Sequence, residues 1–180
     1  GNKYRFFITS PMRTLGSLDQ EKGASGRTSK HLALVNRMLR CVTSSETYGV
    51  HILHPFSNPL PEDQEADLMV VNVATVFPGR EQEYINVMSA DFLPHFNDAK
   101  VHHVTGSLAF GGASGYAHVY FIENFAELDQ GSPVMQALGS DGAQAVNSKF
   151  AGIVSNSETW VSRVVKEVSY GSLPEKKEEQ

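Results

Sequence analysis

The chain has 180 residues, 41% of them hydrophobic and 19% charged, with a net charge of −5; this balance fits a folded globular protein and excludes a disordered one. No apolar run nears the roughly 20 residues that cross a bilayer, and the 15 Lys and Arg are scattered rather than gathered into a basic stripe. Neither a membrane nor a nucleic acid is therefore expected as a partner.

The chain opens as GNKYRF, without Met, which leaves room for a removed leader or a longer native N-terminus and leaves the compartment open. Its first 60 residues echo its last third. Val42–Leu53 (VTSSETYGVHIL) lies over Val154–Val165 (VSNSETWVSRVV) at a constant offset of 112 (158 − 46 for the two Glu). At the same offset Tyr4 meets Tyr116, and ALVNRMLRCVTSSET lies over AVNSKFAGIVSNSET. Separate stretches matching in the same order point to an internal duplication. Residues 1–60 are thus expected to be a partial repeat, strand-helix-strand, lacking an opening β-α-β that the duplication places upstream of Gly1. Its two strands would pair directly or accept a strand from elsewhere. The single cysteine, Cys41, excludes an intrachain disulfide and a cysteine-based zinc site, and its apolar helical context predicts a buried, inert thiol.

Residues 66–169 read as a complete unit. DLMVVNVATVF, rich in β-branched residues, ends at Pro78-Gly79 as a strand ends at a turn. REQEYINVMSADFLPHF places Tyr84, Ile85, Met88, Phe92, Leu93 and Phe96 at helical spacing, with Pro94 as a kink or stop. VHHVTGSLAF and YAHVYFIENF, split by GGASG, predict a hairpin. The chain then turns helical in pieces, with Ser132-Pro133 and Ser140-Asp141 as starts. ETWVSRVVKEV closes the unit as a strand, giving the order β-α-β-β-α-β of a ferredoxin-like fold. Residues 170–180, polar and charged, read as a mobile tail.

Strand-Pro-Gly-helix, hairpin, broken helix with ELDQGSP…ALG and closing strand together resemble the dimeric α+β barrel superfamily. Its members include antibiotic-biosynthesis monooxygenases, EthD-like proteins, NIPSNAP-type proteins and haem-degrading monooxygenases. The resemblance covers residues 67–169 well and 3–54 in part. It implies two sheets facing each other to close a barrel with the helices outside, hence an α+β protein of one complete and one partial ferredoxin-like unit and a homo-oligomer. It also implies that an Asn on the first strand, here Asn72, can line a substrate site. Haem-degrading relatives need a helical His for iron; residues 133–154 hold none and the first copy offers only His31, so no cofactor is expected.

Seven histidines raise the question of a metal. His102 and His103 point to opposite faces of a strand, and Asp91 with His95, spaced i, i+4, find no third ligand, so a solvated helical ion pair is expected and no metal. His118 lies between Tyr116 and Tyr120 on one stripe of its strand, opposite Ala117, Val119 and Phe121. If the second stripe packs on the helices, Tyr116, His118 and Tyr120 face the barrel interior, joined by Trp160. Two readings of that stripe stay open: a sheet interface filled with amphipathic aromatics, or a ligand cavity with a titratable group. A small apolar or aromatic ligand is the partner expected of the second. A cofactor-independent monooxygenase would use His118 and Asn72 as catalytic groups, with Tyr116, Tyr120 and Trp160 holding the ligand. A filled barrel would make the protein a structural or interaction module. Glu46 and Glu158, each between Ser and Thr, read as strand-entry chemistry, with paired catalytic carboxylates as the alternative.

Overall fold

The computed structural model describes residues 6–12, 14–16, 29–61, 63–112 and 114–166. Tyr4–Arg5 and the tail 170–180 lie outside the described residues, and so does the side chain of His31. Glu46–Ser169 is one compact unit, and the residues before it belong to another.

Among the described residues of the N-terminal unit the regular element is helix α1 (Ser29–Leu39), which leaves Leu32, Leu34, Met38 and Leu39 exposed. Phe6–Ser10, expected as a strand, forms none. Cys41 is exposed, not buried, just past the end of α1.

The second unit is an α+β fold built on a five-stranded antiparallel sheet. Its strands are β1 (Gly49–Ile52), β2 (Leu68–Val76), β3 (His103–Phe110), β4 (Gly115–Ile122) and β5 (Val154–Arg163), in the spatial order β1-β3-β4-β2-β5. Between β2 and β3 run α2 (Glu81–Val87), a π turn (Met88–Phe92) and α3 (Leu93–Asp98); between β4 and β5 run a 3-10 turn (Phe125–Gln130) and α4 (Pro133–Lys149).

The helical segment after β2 shows how sequence sets geometry. Tyr84, Met88, Phe92 and Phe96 are all buried, each four residues from the last. An α-helix turns 100° per residue, so a strict four-residue repeat drifts about 40° per step around its axis. The wider π turn at Met88–Phe92 takes up that drift and keeps all three rings and the thioether on the sheet. Pro94 opens α3, where its missing N–H costs least.

The helix after β4 is broken as its sequence predicts. Ser132 caps it by accepting a hydrogen bond from the Met135 amide, Pro133 follows, and Gly139 (φ 71, ψ 166) separates two helical stretches. The 3-10 turn before it carries a reciprocal capping box between Asn124 and Glu127.

The short β1 accepts its partner from elsewhere: it pairs with β3, Gly49 opposite Phe110 and Ile52 opposite Gly106. The matched residues of the two copies do not share a conformation. Ser157–Thr159 lie inside β5, opposite Ala74 to Asn72, whereas Ser45–Thr47 are irregular. The second triplet lies within its strand, which corrects the strand-entry reading of Glu158, whereas Ser45–Thr47 lie between α1 and the start of β1 at Gly49.

Gly111, at the β3–β4 turn, has φ +91, and a side chain there would strike the Thr47 carbonyl. Gly111→Ala should therefore cost about 1–3 kcal/mol, read as a lower urea midpoint. An unchanged midpoint would mean that this turn is not held as described.

Candidate functional site

Strand alternation divides the sheet into two faces. On β2, Leu68, Val70, Ala74 and Val76 are buried, whereas Met69, Val71 and Val73 are only half-buried. The first set joins Tyr84, Met88, Phe92 and Phe96 from the helices and Tyr116 and Tyr120 from β4 in one core. That side is the helix face; the other, which no helix among the described residues covers, is called the open face.

The register then places the predicted site residues. Tyr116, His118 and Tyr120 sit opposite Ala74, Asn72 and Val70, so all four predicted residues of these two strands belong to the helix face. Trp160, opposite Val71, lies on the open face. The expectation that the Tyr-His-Tyr stripe faces a barrel interior with Trp160 is thus corrected. The stripe Ala117, Val119 and Phe121, expected against the helices, lies on the open face.

Hydrogen bonding and ring packing explain the inversion. His118 is 3% exposed; its Nε2 lies 2.7 Å from the Tyr84 hydroxyl and its Nδ1 3.0 Å from Thr105 Oγ1. A neutral imidazole has one donor and one acceptor nitrogen, and two hydroxyls, each able to donate or accept, satisfy both. Tyr84 stacks on Tyr116 with ring centroids 4.5 Å apart and planes at 7°, and Phe150 packs against Tyr84. Satisfied in this way, a polar-aromatic stripe is as good a core as an aliphatic one.

Burial fixes the protonation of this group. It drives the His118 pKa down to about 4, with His103 adding a smaller push in the same direction, so the ring is neutral at pH 7. Burial raises the phenols of Tyr84, Tyr116 and Tyr120, which remain protonated hydroxyls. With both ring nitrogens engaged, His118 offers no nitrogen to a substrate in this conformation; it ties α2 to β3 and β4.

Asn72 sits on the same face but nearer the sheet edge, where the helices leave it half-buried. Its amide donates to Ser157 Oγ at 2.9 Å and Thr159 Oγ1 at 2.8 Å, cross-linking β2 to β5. Asp91, considered as a metal ligand, accepts instead a 2.6 Å bond from Lys149. Among the described residues no three His, Cys, Asp or Glu side chains gather as they would around a metal. A groove along α4 is lined by Met135, Ser140, Ala143, Gln144, Asn147 and Ser148, none of which is a predicted site residue.

The open face is the feature the sequence reading placed wrongly. It runs across all five strands: Val50 and Ile52 on β1, Leu108 on β3, Val119 and Phe121 on β4, Val71 on β2 and Trp160 on β5. Val50 and Ile52 are 44% and 39% exposed. The signal that could have found it is the low polarity of both stripes of β2 and β4, since a strand apolar on both sides expects cover on both.

No protein-family model and no curated protein matches the chain. Among solved structures it is similar to one titled "Crystal structure study of anthrone oxidase-like protein", with a TM-score of 0.51 and 15% sequence identity, over 82% of this chain and 67% of that one. At that identity the likeness establishes the fold: an α+β protein with an antiparallel sheet and helices packed on it.

Proposed function

We propose that β2-α-β3-β4-α-β5 is a ferredoxin-like unit extended by β1, and that its open face closes a barrel against the same face of a second copy, enclosing a space for a small apolar or aromatic molecule. The observation that carries this reading is the contrast between the two faces. The helix side is a sealed core with its polar atoms paired, while the other side is apolar and half-exposed across five strands. A sheet apolar on both faces is stable in water only when both are covered.

The size of the face supports a self-pairing partner. Five strands spaced ~4.8 Å apart, β1 short and the other four about eight to ten residues long at ~3.3 Å per residue, span on the order of 600 Å². A standard stable interface buries about 800 Å² per partner. A face of this kind meets its own copy in an isologous dimer without charge conflict over most of its area.

An oxidase-like activity, which the name of the structural neighbour suggests for that protein, would need a different base here. His118 is on the wrong side of the sheet and already engaged, so the ligand-binding reading is the one supported.

The test is equilibrium dialysis with 1-ethylnaphthalene, alongside Val71→Arg. Val71 lies mid-face between Val119 and Trp160, so Arg there would put unpaired charge into the interface at several kcal/mol. The wild type should bind the probe saturably. The variant should lose binding and dissociate at 10 μM (about 100-fold or more) while keeping its far-UV spectrum. Absence of saturable binding by the wild type would refute the enclosed site.

A further inference from the structure

Averaged over the chain, the charge speaks against a membrane partner, but one segment departs from that average. Residues 22–45 hold Lys22, Arg27, Lys30, Arg37 and Arg40 and no Asp or Glu, a charge of +5. The rest of the chain sets 10 Lys and Arg against 20 Asp and Glu and carries −10. Within the basic segment lies α1, Ser29–Leu39.

Helical geometry sorts the side chains of α1. At 100° per residue, Leu34, Met38, Val35, Leu39 and Leu32 fall in one arc of about 160° around its axis. Ala33, Asn36 and Arg37 take the other side, and so does Arg40, whose amide still bonds to the Asn36 carbonyl. The apolar arc is not covered: Leu34 is 63% exposed, Leu39 56%, Met38 50% and Leu32 48%. A helix with a broad apolar arc, a cationic opposite side and little net hydrophobicity lies in the plane of a membrane interface. With 11 residues, α1 is about 16 Å long, and no described helix is long and apolar enough to cross a membrane.

We propose that α1 is an interfacial helix that binds an anionic lipid surface, with Leu32, Leu34, Met38 and Leu39 entering the acyl boundary and Arg37 and Arg40 among the headgroups. Charge selects the lipid. An anionic leaflet attracts the basic segment and repels the acidic remainder of the chain, so the contact is confined to α1 and its flanks. The inference is independent of the closed barrel. A competing account is that α1 buries the same arc against protein and holds a soluble polyanion with its cations.

The experiment is co-sedimentation of the full chain with vesicles of phosphatidylcholine, alone or with about one third phosphatidylglycerol. The wild type should bind the anionic vesicles at least about tenfold more tightly, and lose that margin as salt rises from about 0.1 to 0.5 M. Each Arg near such a surface adds about fivefold, so Arg37→Gln with Arg40→Gln should weaken binding about 25-fold. Leu34→Gln with Met38→Gln should weaken it about 100-fold. All four positions are exposed and Gln is a good helix former, so both double variants should keep the wild-type far-UV spectrum. An environment-sensitive dye on Cys41, exposed and the single cysteine, should shift to the blue on anionic vesicles alone.

No binding to anionic vesicles, or equal binding to both kinds, overturns the proposal. Binding that survives Leu34→Gln with Met38→Gln overturns the insertion of α1. Retention on heparin without vesicle binding overturns it in favour of a soluble polyanion.

Discussion

Phe96→Ala should remove about 3–5 kcal/mol of stability, the largest single-residue loss expected in the sheet unit. Phe96 is 1% exposed, with ring centroids at 5.6 Å from Phe92, 5.0 Å from His103 and 5.7 Å from Tyr120. Its position at the end of the four-residue repeat makes it the seal between α3 and the sheet. Truncation would leave a cavity bounded by rigid rings, which relax little around a void. Against a total of roughly 5–15 kcal/mol for a typical domain, such a loss brings the fold close to its limit. Urea unfolding followed by far-UV circular dichroism measures it. A loss below 1 kcal/mol would show that the helix side is not the packed core described.

Acidification should have the second-largest effect. His118 has an ordinary pKa of 6.5 that burial in the fold lowers to about 4. Between those values the unfolded chain takes up a proton that the folded chain refuses, so the contribution is complete above pH 6.5 and declines as pH falls toward 4. Each unit corresponds to 1.36 kcal/mol, which makes the full loss about 3 kcal/mol. Asp67 is held below the usual carboxylate range by its hydrogen bond to Lys166, and Glu81 by a bond from its own backbone N–H and one from Ser114. Their contributions are lost below about pH 4.5, so the window from 6.5 to 5 isolates the histidine. His118→Leu should be less stable at pH 7 yet lose most of the slope in that window. A slope that persists in the variant would assign it to another group.

The elements after residue 66 were legible because their punctuation is local. Pro78-Gly79 ends a strand, GGASG closes a hairpin, Ser132-Pro133 starts a helix and Gly139 breaks it. The face of β4 was not legible. YAHVYFI is apolar or aromatic on both stripes, and alternation alone cannot say which one meets the helices. What decides it is non-local: Tyr84, 34 residues away, and Thr105, 13 residues away, satisfy the imidazole, while Tyr84 stacks on Tyr116. The same limit applies to the Ser-Glu-Thr echo. Identical residues adopt a strand where β2 offers a ladder and an irregular path where none is offered, because tertiary pairing overrides local preference. The five predicted site residues were legible as chemistry and misplaced as geometry: four ended in or beside the helix-side core, and Trp160 alone reached the open face.

That open face is the centre of the account, and its pairing with a second copy is tested most directly by the mass of the protein in solution. Sedimentation equilibrium at 10 μM should give twice the chain mass of 19.7 kDa, with Val71→Arg returning to a single chain. A wild-type protein that sediments as one 19.7 kDa chain at that concentration would contradict the closed barrel.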